Sequence, residues 1–276
     1  MKYLDLKNTT FIIPIKIEHP DRYRNAKTTL GFLNHHFKTN VFIYEISDNG
    51  ASKIDFKDEF LNLKIKHWIL KEEGTFHRTK YLNMMLDQVK TRVVVNYDID
   101  VILSPENYLE CQRDIVKGLY DVIYPYEFGQ GQKMVHDNID LNEFYGSGFD
   151  INYIDSRPEI FNLYGAEYGH CMFFNTDVYK NNGGENENFI SYGPEDKERG
   201  ERFGRLGFNV AWKHGYHVYH FEHYRGNDSS PGNPHFDHNW EVYNNLNLLS
   251  ANSFPTYEAY YKNPDYTRDY KTIGNN

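Results

Sequence analysis

The chain has 276 residues, with 30 Lys and Arg against 39 Asp and Glu for a formal net charge of −9, and 17% aromatic residues that include 24 Tyr and 19 Phe. That length can bury a sizeable core as one large domain or two small ones, and the acidic balance, without a long run of Lys or Arg, argues against a nucleic-acid partner. Cys111 and Cys171 lie far apart without CxxC spacing and read as free thiols of a reducing compartment. The first stretch, MKYLDLKNTTFIIPIKIEH, is interrupted by Asp5, Lys7 and Lys16, a pattern unlike a signal peptide. No apolar run approaches the roughly 20 residues of a membrane span. The expectation is a soluble, cytoplasmic protein with at most peripheral membrane association. The aromatic excess suits stacking on carbohydrate or bases, and equally a Tyr-rich core.

Taken in order, TFIIPI (10–15), NVFIYEIS (40–47), IKHWIL (65–70), RVVVNYD (92–98) and DVIYPYE (121–127) read as strands. Between them, 21–37, 77–90 and 105–118 read as helices, the second with Leu82, Met85, Leu86 and Val89 at helical spacing. Ser104-Pro105-Glu106 has the form of a cap followed by proline at the first helical position. Strand alternating with helix predicts an α/β fold with a mostly parallel central sheet flanked by helices, and ligands outside the carboxyl ends of its strands. After residue 128 the pattern loosens into Gly-, Asn- and Tyr-rich sequence, and strands resume at 168–175 and across 210–221. The predicted organisation is a single domain over 1–276. Residues 1–128 form its nucleotide-binding half, 129–245 an acceptor and metal half, and 246–276 a tail that wraps the body or frays.

Three stretches carry chemistry. In NYDIDV a buried-strand pattern ends in Asp98 and Asp100, and a carboxylate at such a place needs a counter-charge. Two carboxylates at a strand end can clamp a divalent cation, and hard oxygen ligands suit magnesium or manganese; solvated aspartates in a turn are the plainer reading. In HVYHFEHYRG, His217, His220 and His223 recur every third residue, and one imidazole could complete a metal shell. In NNGGENENFISYGPEDKERGERFGRLGF, Gly183-Gly184 stops a short helix and Pro194 starts another whose first turn carries Glu195 and Asp196. Acids there suit the helix macrodipole, and a carboxylate so placed can also serve as a general base.

The order of these stretches resembles the metal-dependent GT-A glycosyltransferases, most closely the beta-galactosyltransferase and chondroitin-polymerase-like group. FIIPIKIEHPDRYR, FHRTKYLN, NYDIDVILSP and NGGENENFISYGPEDKERGERF, followed by YHFEHYRG, carry the likeness over residues 11–226. The resemblance implies nucleotide contacts from Phe76, Arg78 and Lys80 of FHRTKYLN and from Pro14 and Ile15 at the end of the first strand. Arg22 or Arg24 stands where the family has an arginine. Lys16, Glu45, Tyr192 and Gly193 are counted with the nucleotide-sugar contacts. Asp98 falls near the ribose and diphosphate, Asp100 and His220 on the metal, with His223 the alternative ligand. Asp196 falls on the catalytic base and Glu195 on an acceptor contact. Two positions depart from the family pattern. Lys16 stands where an arginine is common and lacks its planar fork, and Tyr192-Gly193-Pro194 replaces Trp-Gly-Gly.

The implied activity is transfer of a sugar, galactose or an N-acetylhexosamine, from a UDP-sugar to a glycan or glycolipid acceptor in surface polysaccharide synthesis such as capsule or lipopolysaccharide. Mn2+ or Mg2+ is the implied cofactor, and one base without a covalent intermediate implies inversion. Two other readings compete: a metal-dependent nucleotidyltransferase or phosphohydrolase with the same paired aspartates, and a non-catalytic carbohydrate-binding derivative of the fold.

Overall fold

Val93–Val95 are fully buried because they run through the middle of a seven-stranded sheet. The computed structural model describes residues 3–54, 59–226 and 229–268. The first half runs β1 (Leu4–Ile15), α1 (Pro20–His36), β2 (Phe37–Ser47), β3 (Leu63–Lys71), α2 (Arg78–Leu86), β4 (Val93–Tyr97), β5 (Val101–Leu103), α3 (Pro105–Val116) and β6 (Val122–Tyr124). The second half runs β7 (Gln132–Val135), α4 (Leu141–Gly146), α5 (Ile151–Asp155), β8 (Ile160–Leu163), β9 (Cys171–Asn175), α6 (Thr176–Asn181), α7 (Glu195–Arg205), β10 (Val210–Trp212) and β11 (Val218–Phe221), and ends in three helices, α8 (Phe236–Asn252), α9 (Phe254–Lys262) and α10 (Pro264–Thr267).

The large sheet has the order β10-β6-β9-β4-β1-β2-β3. Its pairings are parallel except the two made by β9, which runs antiparallel to both β4 and β6. This is the mostly parallel, helix-flanked sheet expected of a GT-A fold. The smaller sheet has the order β5-β11-β7-β8. Asp98 and Asp100 lie between β4 of the large sheet and β5 of the small one, so the chain changes sheets at the DID turn. That is why an apolar run stops, bears two acids and turns apolar again. The turn is pinned from both sides: the Asp98 N–H donates to the His170 carbonyl at 2.9 Å, and the Phe221 N–H donates to the Asp100 carbonyl at 2.8 Å.

The region after residue 128, which lacks clear periodicity, holds β7, α4, α5 and β8, each of four to six residues. Elements that short never complete two turns or two alternations of pattern. The strand expected at 168–175 begins only at Cys171, because Gly169 (φ 99°) and His170 (φ 59°) turn the chain immediately before it. The single run expected at 210–221 is two strands in different sheets. Both cysteines are buried free thiols, and burial pushes the Cys111 thiol far above its ordinary value. Among the described residues, no helix is long and apolar enough to cross a membrane.

Gly200, in the middle of α7, packs closely against Tyr124 of β6 and Tyr168. A Cβ there would lie 2.6 Å from Tyr168 Cε1 and closer still to the Tyr124 hydroxyl. Alanine is the better helix former by ~0.8–1.0 kcal/mol, yet Gly200→Ala is expected to lower stability by about 1–3 kcal/mol through overpacking. Urea unfolding checks the sign, and a stabilised variant would show that α7 moves freely away from the sheet.

Candidate active site

A cleft of about 470 Å³ opens beyond the carboxyl ends of β1 and β4, where open α/β sheets bind ligands. From the first half of the chain it is lined by Pro14, Ile15, Lys16, Arg22, Phe76, Arg78, Asp98 and Asp100, and from the second by Tyr192, Gly193, Glu195, Asp196, His220 and His223. Residues more than a hundred positions apart in the chain therefore share one cleft. Lys16 is held at the rim by Glu18 and Asp48 at 3.3 and 3.2 Å.

Asp100 is buried, and three groups surround its carboxylate. His223 Nε2 lies 3.0 Å from Oδ2, His220 Nε2 lies 3.5 Å from Oδ1, and Arg22 Nη1 lies 3.2 Å from Oδ2. His220 and His223 thus both reach Asp100, and one donor atom from each of the three residues lies within 4.8 Å of the others. Burial alone would raise the Asp100 carboxyl, but the two imidazoles hold it well below the usual carboxylate range. Burial holds the His220 imidazole down at about 4, leaving it neutral at neutral pH, as a metal ligand must be. Its Nδ1 is buried and has no hydrogen-bond partner. One carboxylate with two imidazoles is a donor set that suits a divalent cation. His217, by contrast, stands at the far end of β11 on a separate cavity.

Asp98 and Asp196 are joined by Arg78, whose Nη2 donates to Asp98 Oδ1 at 2.7 Å and whose Nη1 lies 3.4 Å from Asp196 Oδ1. The same Asp196 oxygen accepts from Arg199 Nη1 at 2.7 Å, and Arg199 is paired bidentately with Glu185 at 2.6 and 2.7 Å. Arg199 and Glu185 are both buried, and the Tyr179 hydroxyl donates to the same Glu185 carboxylate. The outcome is an alternating line of acids and guanidiniums that fixes Asp196 at the first turn of α7. Burial would raise Asp196, but Arg199 and Arg78 hold it below its ordinary value. Glu195 beside it goes the other way, pushed up to about 8 by burial and then by the Asp196 charge, and its Oε2 is buried without a partner. Glu185→Ala is expected to cost about 3–5 kcal/mol, because it strands the Arg199 guanidinium in the interior. Chemical denaturation measures this, and a loss below ~1 kcal/mol would mean that Asp196 alone compensates Arg199.

Two residues expected at the cleft lie off it. Glu45 is buried on β2 with its carboxylate engaged by His67, the Ser52 hydroxyl and the Lys53 N–H at 2.6–2.9 Å. Lys80, in the first turn of α2, does not line the cleft and is paired with Glu72, just past the end of β3, at 2.9 Å. Of the two candidate arginines, Arg22 reaches the cleft, while Arg24 donates to the Glu222 carbonyl at 3.0 Å. Four further groups line the cleft or build it without having been singled out by sequence. His170 accepts strain at φ 59° and lies 3.8 Å from Asp98 and 3.0 Å from Gln132; a glycine before it and an apolar strand after it were its signal. Glu185 orders Arg199, Arg225 lines the cleft near His223, and Asn239 holds the Tyr192 loop.

No family model matches this sequence, and no curated protein matches it. Solved structures do. Staphylococcus aureus TarS superposes with a TM-score of 0.53 at 16% identity, over 89% of this chain and 39% of that one. The mannosyltransferase PcManGT of Pyrobaculum calidifontis, in complex with GDP-Man and Mn2+, gives 0.49 at 14% identity over 88% and 62% of the two chains. The catalytic domain of Drosophila beta1,4-galactosyltransferase 7 gives 0.40 at 12%, over 75% and 65%. At 16% identity the likeness to TarS is one of fold, and the chain spans about two fifths of the TarS chain it overlays.

Proposed function

We propose that this chain is a metal-dependent, inverting glycosyltransferase that moves galactose or an N-acetylhexosamine from a UDP-sugar to a glycan acceptor. The observation that carries the reading is the meeting, in one cleft, of a cation-ligand triad (Asp100, His220, His223), an Arg78–Asp98 pair at a parallel strand's end, and an ionised carboxylate at Asp196. The first two suit a nucleoside diphosphate, and the third suits an alcohol nucleophile. A divalent cation bound at the triad would supply Lewis-acid stabilisation of the diphosphate leaving group. Of the two implied ions, Mn2+ suits a set of one carboxylate and two imidazoles better than Mg2+, which favours oxygen ligands. A surface glycan such as capsule or lipopolysaccharide is the acceptor class that the resemblance implies.

The chain's own groups divide the work. Pro14, Ile15 and Phe76 offer an apolar wall for the base, and Asp98 a carboxylate for ribose hydroxyls. Arg78 sits between the nucleotide side and the acceptor side and adds positive charge where the leaving group develops negative charge. Asp196 Oδ2 faces Gly169, where a Cβ would come within 3.1 Å of it, while Oδ1 is taken by the two arginines. It accepts the acceptor's hydroxyl proton as that oxygen bonds to the anomeric carbon and the diphosphate departs with the electrons of the old bond. Glu195, protonated at neutral pH, donates a hydrogen bond to the acceptor. Environments that drive two neighbouring carboxylates apart are the usual way such roles are assigned.

The direct test measures UDP release and manganese-dependent thermal stabilisation across a panel of UDP-sugars. Stabilisation by one UDP-sugar with UDP release on adding a glycan supports transfer. Pyrophosphate release instead favours a nucleotidyltransferase, and binding of glycans without any nucleotide turnover favours a carbohydrate-binding protein.

A pH dependence follows from Glu195. Its folded carboxyl titrates at about 8, above the ordinary glutamate value of the unfolded chain. Between those values the folded protein binds a proton that the unfolded chain has released, so its contribution to stability falls as pH rises through that window. Asp196 works in the opposite sense at acid pH, since its folded carboxyl titrates below the unfolded one. Glu195→Gln is expected to flatten the loss of stability from about pH 5 to about pH 9, read from melting temperatures. An unchanged slope would assign that loss to another group.

A further inference from the structure

We propose that an aromatic track on α8 extends the cleft outward and binds successive sugar rings of the acceptor, so that the acceptor is a glycan chain and not a lone monosaccharide. This rests on the glycosyl-transfer reading and names its substrate class. Tyr192 lines the cleft and is 37% exposed. Its ring stacks on Phe236 with centroids 6.0 Å apart and an interplanar angle of 12°. Phe236 meets Trp240 edge-on at 6.3 Å, and Trp240 meets Tyr243 at 5.6 Å. Phe236, Trp240 and Tyr243 recur at i, i+4 and i+7, and so share one face of the helix. Tyr243 is buried behind Trp240 and donates to Glu201 of α7 at 2.8 Å, so it braces the row, while Trp240 is 38% exposed.

The track is built and held in place. Ser191 adopts φ 60°, a conformation that L side chains rarely take. The loop keeps it because Asn239 Oδ1 accepts from the Ile190 N–H at 2.9 Å, and Asn239 and Asn233 each donate to the carbonyls of Ile190 and Tyr192 at 2.8–3.0 Å and 2.9–3.0 Å respectively. A Cβ on Gly193 would fall 2.7 Å from Asn239 Cβ, so only glycine lets α8 seat against the loop. Strain retained at this cost, next to a cleft, is a mark of function. The helix thereby points Tyr192 into the cleft that Glu195 and Asp196 also line, where an attacking hydroxyl must lie. The exposed ring surface of Tyr192 and Trp240, with half-buried Phe236 between them, leads away from that point and offers apolar contacts to the C–H faces of consecutive sugars. Continuity with the cleft favours a glycan over a protein partner.

The test is binding of soluble β-linked N-acetylglucosamine and galactose oligomers of one to five units, in the presence of UDP and manganese, by calorimetry. In the wild type, affinity for one of the two series should rise with length, and Trp240→Ala should lose roughly 3- to 10-fold on the longer oligomers, the usual size of one aromatic contact. Trp240→Phe should restore part of the gain, and Leu248→Ala, an exposed position farther along α8, should behave as wild type. Absence of oligomer binding, indifference to length, or equal behaviour of Trp240→Ala and wild type overturns the proposal. A wild-type dimer that Trp240→Ala dissociates also overturns it, making the track a self-association surface. UDP-sugar turnover by the wild type reports on the parent reading separately: turnover with length-independent binding sinks the track alone, and no turnover sinks transfer itself.

Discussion

Asp196→Asn is expected to lower turnover by roughly 10²–10⁴-fold, the usual contribution of a positioned base, while UDP-sugar affinity stays nearly unchanged. The substitution keeps an oxygen for Arg199 and Arg78 and replaces the proton acceptor that faces the cleft with an amide. The nucleotide side is left alone, because Arg78 retains its 2.7 Å bond to Asp98 and the Asp100 triad is untouched. A merely structural Asp196 predicts another pattern: loss of the favourable charge at the first turn of α7 would cost ~0.3–1 kcal/mol and leave turnover close to normal. Turnover, UDP affinity and melting temperature measured on this one variant separate the two. Near-normal turnover with a lowered melting temperature would remove Asp196 from the chemistry, and Glu195, its carboxyl no longer raised by the Asp196 charge, would become the candidate base.

Asp100→Ala is expected to abolish manganese-dependent stabilisation by UDP and to reduce turnover by more than ~10²-fold, since even a group that only supports a metal ligand is worth 10–100-fold. The fold should survive. Asp100 occupies a turn between sheets whose backbone bonds do not involve its side chain, and Arg22, freed of its partner, is exposed enough to be hydrated. The variant loses the only carboxylate of the triad, and two imidazoles without it hold a hard cation weakly. Wild-type turnover that is equal with and without a chelator would sink the metal reading, whatever the variant does.

Much of the frame was legible from residue order. β1 to β4 and α1 to α3 follow from apolar runs and helical spacing, because each is long enough to repeat its pattern and each buries one consistent face. Asp98, Asp100, Asp196 and the run His217, His220 and His223 could be picked out as candidates as well, since acids and imidazoles flanking apolar strands stand out against their neighbours. Glu45 and Lys80 show the limit. Both belong to motif-like stretches, yet β2 turns Glu45 toward His67 of the neighbouring strand, and α2 turns Lys80 toward Glu72. Which side of an element faces a cleft depends on what packs against the other side.

The sequence by itself determined the alternating α/β frame and the residue types of the chemistry, because local periodicity and the cost of burying charge are properties of the chain alone. The tertiary structure decided the rest. It bent the chain from one sheet to the other at the DID turn, brought His220 and His223 to the same carboxylate, and set Arg199 and Arg78 on one oxygen of Asp196. It also laid α8 beside Tyr192. The histidines reach Asp100, Arg78 reaches Asp196 and α8 reaches Tyr192 across tens to well over a hundred residues, and such meetings are fixed by packing, which no local pattern encodes.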